Sequence, residues 1–204
     1  MKTEETVFEK TCKNYLEQLR EISFESIAHR LGVGIEGNTI KIQLFRDVYE
    51  VSYEKIVDSS GRKPTHDICV ILSKYILLCP DVPPNITEWV SFRNFKDSGP
   101  LISYFTKDVE RAIGSYFSRK LNDLKKASDT LGGYPPALEV KYDLAIQFNA
   151  LPKIPVIMLY NDADEEFSAK CSILFESRAE NYLDAECIAM LGWQLFSHLR
   201  RVRS

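Results

Sequence analysis

Segment 141–176, KYDLAIQFNALPKIPVIMLYNDADEEFSAKCSILFE, constrains the fold more than any other part of the chain, because three strand signals follow one another inside it. Leu144, Ile146 and Phe148 alternate with Asp143, Ala145 and Gln147, the period of two with which a strand buries one face. From 154 to 160 nearly every residue is apolar, a pattern that suits a strand covered on both faces. Residues 150–152 between these runs form the turn, since Pro152 has no amide to give to a ladder. Cys171, Ile173 and Phe175 alternate again after a polar loop, and together the runs predict an antiparallel meander with 154–160 as its central strand. The loop before the third strand carries Asp162, Asp164, Glu165 and Glu166, so the densest acidic cluster falls at one end of the sheet.

The rest of the chain supplies helices and a hairpin. Phe8, Cys12, Tyr15, Leu16 and Leu19 mark one face of a helix over 4–20. A second helix, 24–31, is capped by Ser23 and closed by Gly32. Ile40, Ile42 and Leu44, then Val48, Tyr49 and Val51, predict a hairpin over 39–53, either a small second sheet or an edge of the main one. Thr65 caps a buried helix that ends at Pro80. Residues 81–100 read as a long proline-flanked connection containing Trp89 and Arg93, the kind of loop that more often carries function. Pro100 opens a helix to 117, Ser118 opens another to Leu131 before Gly132-Gly133, and Asp184 caps the last helix.

The chain has 204 residues, 45% of them hydrophobic, enough for one sizeable core, so a single domain over 1–204 is expected. Its 26 basic and 29 acidic residues are mixed along the sequence, which leaves no basic face for nucleic acid. Residues 1–10 hold no apolar leader and no run is long enough to cross a bilayer, so neither membrane nor export is expected. Five cysteines, Cys12, Cys69, Cys79, Cys171 and Cys187, are widely spaced without any CxxC, which predicts five free thiols in a reducing cytoplasm.

The chemistry-bearing candidates are few. The cluster Asp162, Asp164, Glu165 and Glu166 offers hard oxygen donors, yet it lacks the glycine and distal glutamate of an EF-hand loop and reads more simply as a solvated turn, so no metal is assigned. Arg93 can grip a carboxylate or phosphate with two parallel hydrogen bonds, and the nearest concentration of negative charge in the predicted fold is Asp164, Glu165 and Glu166. Those four residues are the candidate ligand-binding set, with an Arg-carboxylate tie between loop and sheet as the structural alternative. His29, His66 and His198 have no second ligand at zinc spacing, and His198 is placed to complement the dipole of the last helix. GxSxG, GxxxxGK[ST], GxGxxG and HExxH are all lacking, which removes the motif-based cases for a serine hydrolase, a P-loop NTPase, a Rossmann enzyme and a zincin.

Several stretches are familiar together: Trp89-Val90-Ser91-Phe92-Arg93, Leu131-Gly132-Gly133, Ala150-Leu151-Pro152-Lys153-Ile154-Pro155-Val156, Asp164-Glu165-Glu166-Phe167, Leu174-Phe175 and Tyr182-Leu183. Their order and spacing resemble an uncharacterised domain family of roughly this length, found largely in anaerobic bacteria and archaea. Some members resemble fusions with a small iron-sulfur module of the kind seen in corrinoid iron-sulfur proteins, which implies a link to anaerobic one-carbon or corrinoid metabolism. This chain has no four-cysteine cluster and so no iron-sulfur centre of its own.

These readings lead to an α+β domain: an antiparallel sheet from 141–176, joined or accompanied by the 39–53 hairpin, with helices packed mainly on one face. The functional expectation is a cytoplasmic, non-catalytic binding or accessory domain with a corrinoid or other tetrapyrrole as ligand. The alternatives are an enzyme built on Arg93 and the 164–166 cluster, and a dimeric scaffold. Cofactor, oligomeric state and protein partner stay open at this point.

Overall fold

The computed structural model describes residues 7–85 and 88–202. The first helix, α1 (Val7–Leu19), runs into α2 (Phe24–Leu31), which ends where Gly32 takes a left-handed φ of 69° and returns its amide to Ala28 and His29. That backbone is open to glycine at little steric cost, which is why the helix stops there. A four-stranded antiparallel sheet follows in simple sequence order, β1 (Gly34–Glu36), β2 (Thr39–Leu44), β3 (Asp47–Ser52) and β4 (Ile56–Asp58). The predicted hairpin is therefore the middle of a sheet of its own. Ile40, Ile42, Leu44 and Val51 all lie on its buried side.

Helix α3 (His66–Leu77) is apolar almost all round and correspondingly buried. After it, residues 81–100 are not the structureless loop the sequence suggested. Trp89–Ser91 forms an edge strand, β5, antiparallel to residues Leu174–Glu176, and Phe92–Asn94 and Gly99–Leu101 are 3₁₀ turns. A helical rod comes next, in which α4 (Ile102–Tyr104) passes through a π-helical stretch, Phe105–Glu110, into α5 (Arg111–Phe117). Ser118 does not open the following helix, because Arg119 turns left-handed at φ 60° and α6 (Leu121–Thr130) begins beyond it.

The meander forms as expected. Strands β6 (Leu144–Leu151), β7 (Ile154–Asn161) and β8 (Lys170–Glu176) pair antiparallel, and with β5 make a second sheet in the order β5-β8-β7-β6. Every residue of β7 from Ile154 to Tyr160 is buried, as its unbroken apolar run requires. The turn sits one residue later than the sequence placed it, at Pro152-Lys153. Helices lie mainly on one face, and α7 (Ala185–Arg201) packs against α3 and the rod. Asp184 caps α7 by accepting from the Cys187 amide at 2.9 Å.

Among the ties that join the halves of the molecule, two lie beside the β6–β7 turn. The Phe45 amide in the β2–β3 turn donates to Ala150 of β6. The buried Tyr75 hydroxyl donates to the Leu31 carbonyl at 2.8 Å and accepts from the Lys153 amide at 3.1 Å, so α2, α3 and the β6–β7 turn meet at one oxygen.

The expectation of five free thiols is corrected. Cys12 of α1 and Cys69 of α3 form a disulfide, with Cα atoms 6.5 Å apart, while Cys79, Cys171 and Cys187 are free. Spacing along the chain could not show this pair, because it depends on how the apolar faces of α1 and α3 come together.

Candidate functional site

A cleft of about 920 Å³ lies between α1 on one side and β4, its flanking turns and α3 on the other. Phe8, Cys12 and Leu16 recur every four residues along α1, so one helical face supplies that wall. Phe8 also meets the His66 ring edge-on, with centroids 5.2 Å apart.

The opposite side is held by short-range bonds. Ser52 accepts from the amides of Glu54 and Lys55 and fixes the turn that presents Lys55, while Ile56 and Val57 form the floor. The Asp58 carboxylate accepts from the amides of Ser60 and Arg62 and from the Arg62 guanidinium. Those bonds, led by the Arg62 amide, hold Asp58 below the usual carboxylate range, and they carry the loop round through Gly61 at φ 76° to Lys63 and Pro64. The result is an apolar floor with Lys13, Lys55 and Lys63 at its margin, Glu9 and Glu54 among them, and the Cys12–Cys69 pair in its wall. Such a surface suits a flat, largely apolar ligand with acidic substituents. Among the described residues neither a histidine nor a hydroxyl side chain lines the cleft.

The residues singled out from sequence lie elsewhere. Arg93 is in the turn after β5, exposed, with its carbonyl accepting from Ser98. Its charge acts on Glu110 of the rod, where burial raises the carboxyl pKa and the Ile173 amide and Arg93 pull it back. Asp164, Glu165 and Glu166 are exposed in the β7–β8 loop. Asp164 is engaged within that loop, accepting from the amides of Glu166 and Phe167, and these bonds lower its pKa. Asp162 accepts from the Arg119 and Ala163 amides and from the Tyr160 hydroxyl. Among the described residues no ion pair within 4.0 Å joins Arg93 to Asp164, Glu165 or Glu166. Nor does any group of three or more His, Cys, Asp or Glu side chains among them converge as metal ligands.

His198 is more than a dipole partner. It is buried against Phe45, with Nδ1 3.8 Å from Asp47 and Nε2 without a hydrogen-bond partner. One turn earlier on α7, Gln194 donates to Asp67 at the start of α3. The helical spacing of residues 194 and 198 was visible in the sequence, but the strand and helix facing them were not.

No helix among the described residues is long and apolar enough to cross a membrane. No curated protein and no solved structure matches the chain. A family model does, from the N-cap of α2 to the last turns of α7: over residues 23–198 the chain belongs to the family described as Domain of unknown function (DUF3786).

Proposed function

We propose that this protein is a cytoplasmic, non-catalytic binding domain whose ligand lies in the cleft between α1 and β4. The observation that carries this reading is the cleft itself, an apolar floor of Ile56 and Val57 with three lysines at its margin. The chemistry suits a planar macrocycle with anionic groups at its edge, carboxylates in a haem and the phosphodiester in a cobalamin, and a corrinoid or another tetrapyrrole serving anaerobic metabolism is the ligand class we put first. The floor would cover the apolar face, and Lys13, Lys55 and Lys63 would meet the acidic periphery.

The rival reading, an enzyme built on Arg93, Asp164, Glu165 and Glu166, has less support, because Asp164 is already bound within its own loop and Arg93 acts on Glu110. A dimeric scaffold has no particular observation in its favour.

The test is a titration with haem and cyanocobalamin, followed by visible absorbance and melting temperature, since a ligand that binds only the folded state raises apparent stability. We expect at least one to shift both signals, and Lys55→Glu with Lys63→Glu to weaken the shift. No shift with either compound overturns the ligand class. A shift that survives both substitutions places the site away from the cleft.

A further inference from the structure

We propose that Cys12 and Cys69 form a redox latch that holds α1 closed as one wall of the cleft. Cys69 is buried in α3, whereas Cys12 is only half-covered on α1, and both line the cleft, so a small thiol entering there meets the bond. Apart from the bridge, that helix is held by the partly buried side chains of Phe8, Tyr15 and Leu16 against the core, with Phe8 on the His66 ring. Of its residues Leu19 alone is fully buried, at the C-terminal end, and at the other end Val7 is 82% exposed. The segment after Leu19 is fixed, since the Tyr53 hydroxyl donates to the Ile22 carbonyl at 3.0 Å. Cutting the sulfur bridge therefore removes the covalent tie from the N-terminal part of a helix whose fully buried residue is at its other end, so α1 opens more readily on the Phe8 side of the cleft. The latch helix lies before the region matched by the family, residues 23–198, which includes Cys69.

The chemistry is thiol–disulfide exchange with a dithiol. One thiolate of the reductant attacks Cys12 Sγ, forms a mixed disulfide there and expels Cys69 as thiolate, which takes up a proton. The second thiol of the reductant then displaces Cys12, leaving two protein thiols and an oxidised, cyclic dithiol. Oxidation runs the same exchange backwards. In a reducing compartment the latch stands open, and its closure reports oxidant exposure.

The proposal deepens the binding reading, but its readouts need no ligand, so failure of the ligand titration and failure of the latch are separate results. Thiols are counted in denaturant without reductant on air-oxidised protein, since chain drawn from a reducing compartment starts with the latch open, and amide hydrogen exchange is followed in the same native protein with and without dithiothreitol. We expect three reactive thiols before reduction and five after, because Cys79, Cys171 and Cys187 are free at the outset. We expect the α1 amides to exchange at least about tenfold faster in dithiothreitol while β7 is unchanged. Cys12→Ser should show the fast α1 exchange without reductant, and Cys79→Ser should behave as the parent. Five thiols before reduction, or α1 exchange indifferent to dithiothreitol, overturns the latch. Because the dithiothreitol arm uses the unmodified chain, it decides the matter even if Cys12→Ser folds poorly.

Discussion

The Phe45 amide donates to the Ala150 carbonyl at 2.8 Å, so the tip of the first sheet's hairpin is pinned to β6 of the second. Phe45 holds a left-handed φ of 52°, uncommon for an aromatic residue, and its ring lies between Phe148 and His198, with centroids 6.5 and 5.3 Å away. Truncation to Phe45→Ala should cost about 3–5 kcal/mol, the usual range for a buried phenylalanine, measured by urea unfolding. A loss under about 1 kcal/mol would mean that the two sheets do not depend on this ring.

At Gly192 two effects oppose each other. Alanine is the better helix former by about 1 kcal/mol. A Cβ at this position would lie only 2.5 Å from the Phe105 ring and 3.3 Å from Val109, both in the π-helical stretch. Overpacking of that kind costs about 1–3 kcal/mol, so Gly192→Ala should be net destabilising in thermal melts. A gain in stability would show that the rod shifts easily away from α7.

Asp184 caps α7 and lies 3.3 Å from Lys74. Burial by itself raises its pKa, but the Cys187 amide and Lys74 outweigh that and hold it below 3.8. A folded-state pKa below the unfolded one stabilises above the unfolded value and loses its effect as pH falls. Asp184→Ala should therefore cost about 0.5–2 kcal/mol at neutral pH, as caps generally do, and the gap from the parent should narrow as pH drops through and below 3.8. A gap independent of pH would assign the loss to packing.

His198 acts with the same sign in a higher pH range. Burial lowers its pKa from 6.5, Asp47 works against that and Arg201 adds to it. Below 6.5 the unfolded chain takes up the proton more readily than the folded one, so stability falls as pH drops from neutral through that range. Replacing the imidazole in His198→Gln should flatten this part of the pH–stability curve. An unchanged slope would show that other groups set it.

Arg93 should couple to Glu110 rather than to the acidic loop. Arg93→Ala should move the Glu110 carboxyl titration, followed by NMR, to higher pH, because one of the two influences restraining it is gone. Arg93→Ala and Glu165→Ala should add in stability to within about 0.5 kcal/mol. A clear coupling energy would bring the loop and Arg93 together after all.

Much of the scaffold was legible because long elements carry long patterns. Ile154–Tyr160 announced a doubly covered strand, and Ser23, Gly32 and Asp184 marked helix ends correctly. Thr65 marked one as well, although its hydroxyl bonds the Asp67 side chain rather than the backbone. Strands β1, β4 and β5 have three residues each, too few to show a period, and β5 is half-buried at every position. The cleft was illegible for another reason. Its wall and floor come from α1, β4, the 61–64 loop and α3, none of which carries a motif alone, and only the tertiary fold sets Cys12 against Cys69. Charge density drew attention to Asp164–Glu166 because clusters are visible along a chain, whereas concavity is not.

The edge position of β5 has a kinetic side. Strands β6, β7 and β8 are neighbours in sequence as in the sheet and can zip in order, but β5 reaches β8 only after the rod, α6 and the whole meander have been laid down between them. Closing so long a loop is slow relative to forming a hairpin. Until Trp89–Ser91 arrives, the backbone of Leu174–Glu176 presents an unpaired edge to any passing strand. Refolding yield should thus depend on protein concentration more steeply than the compactness of the finished molecule suggests, because for a time the missing edge strand competes with its counterpart in a neighbouring chain.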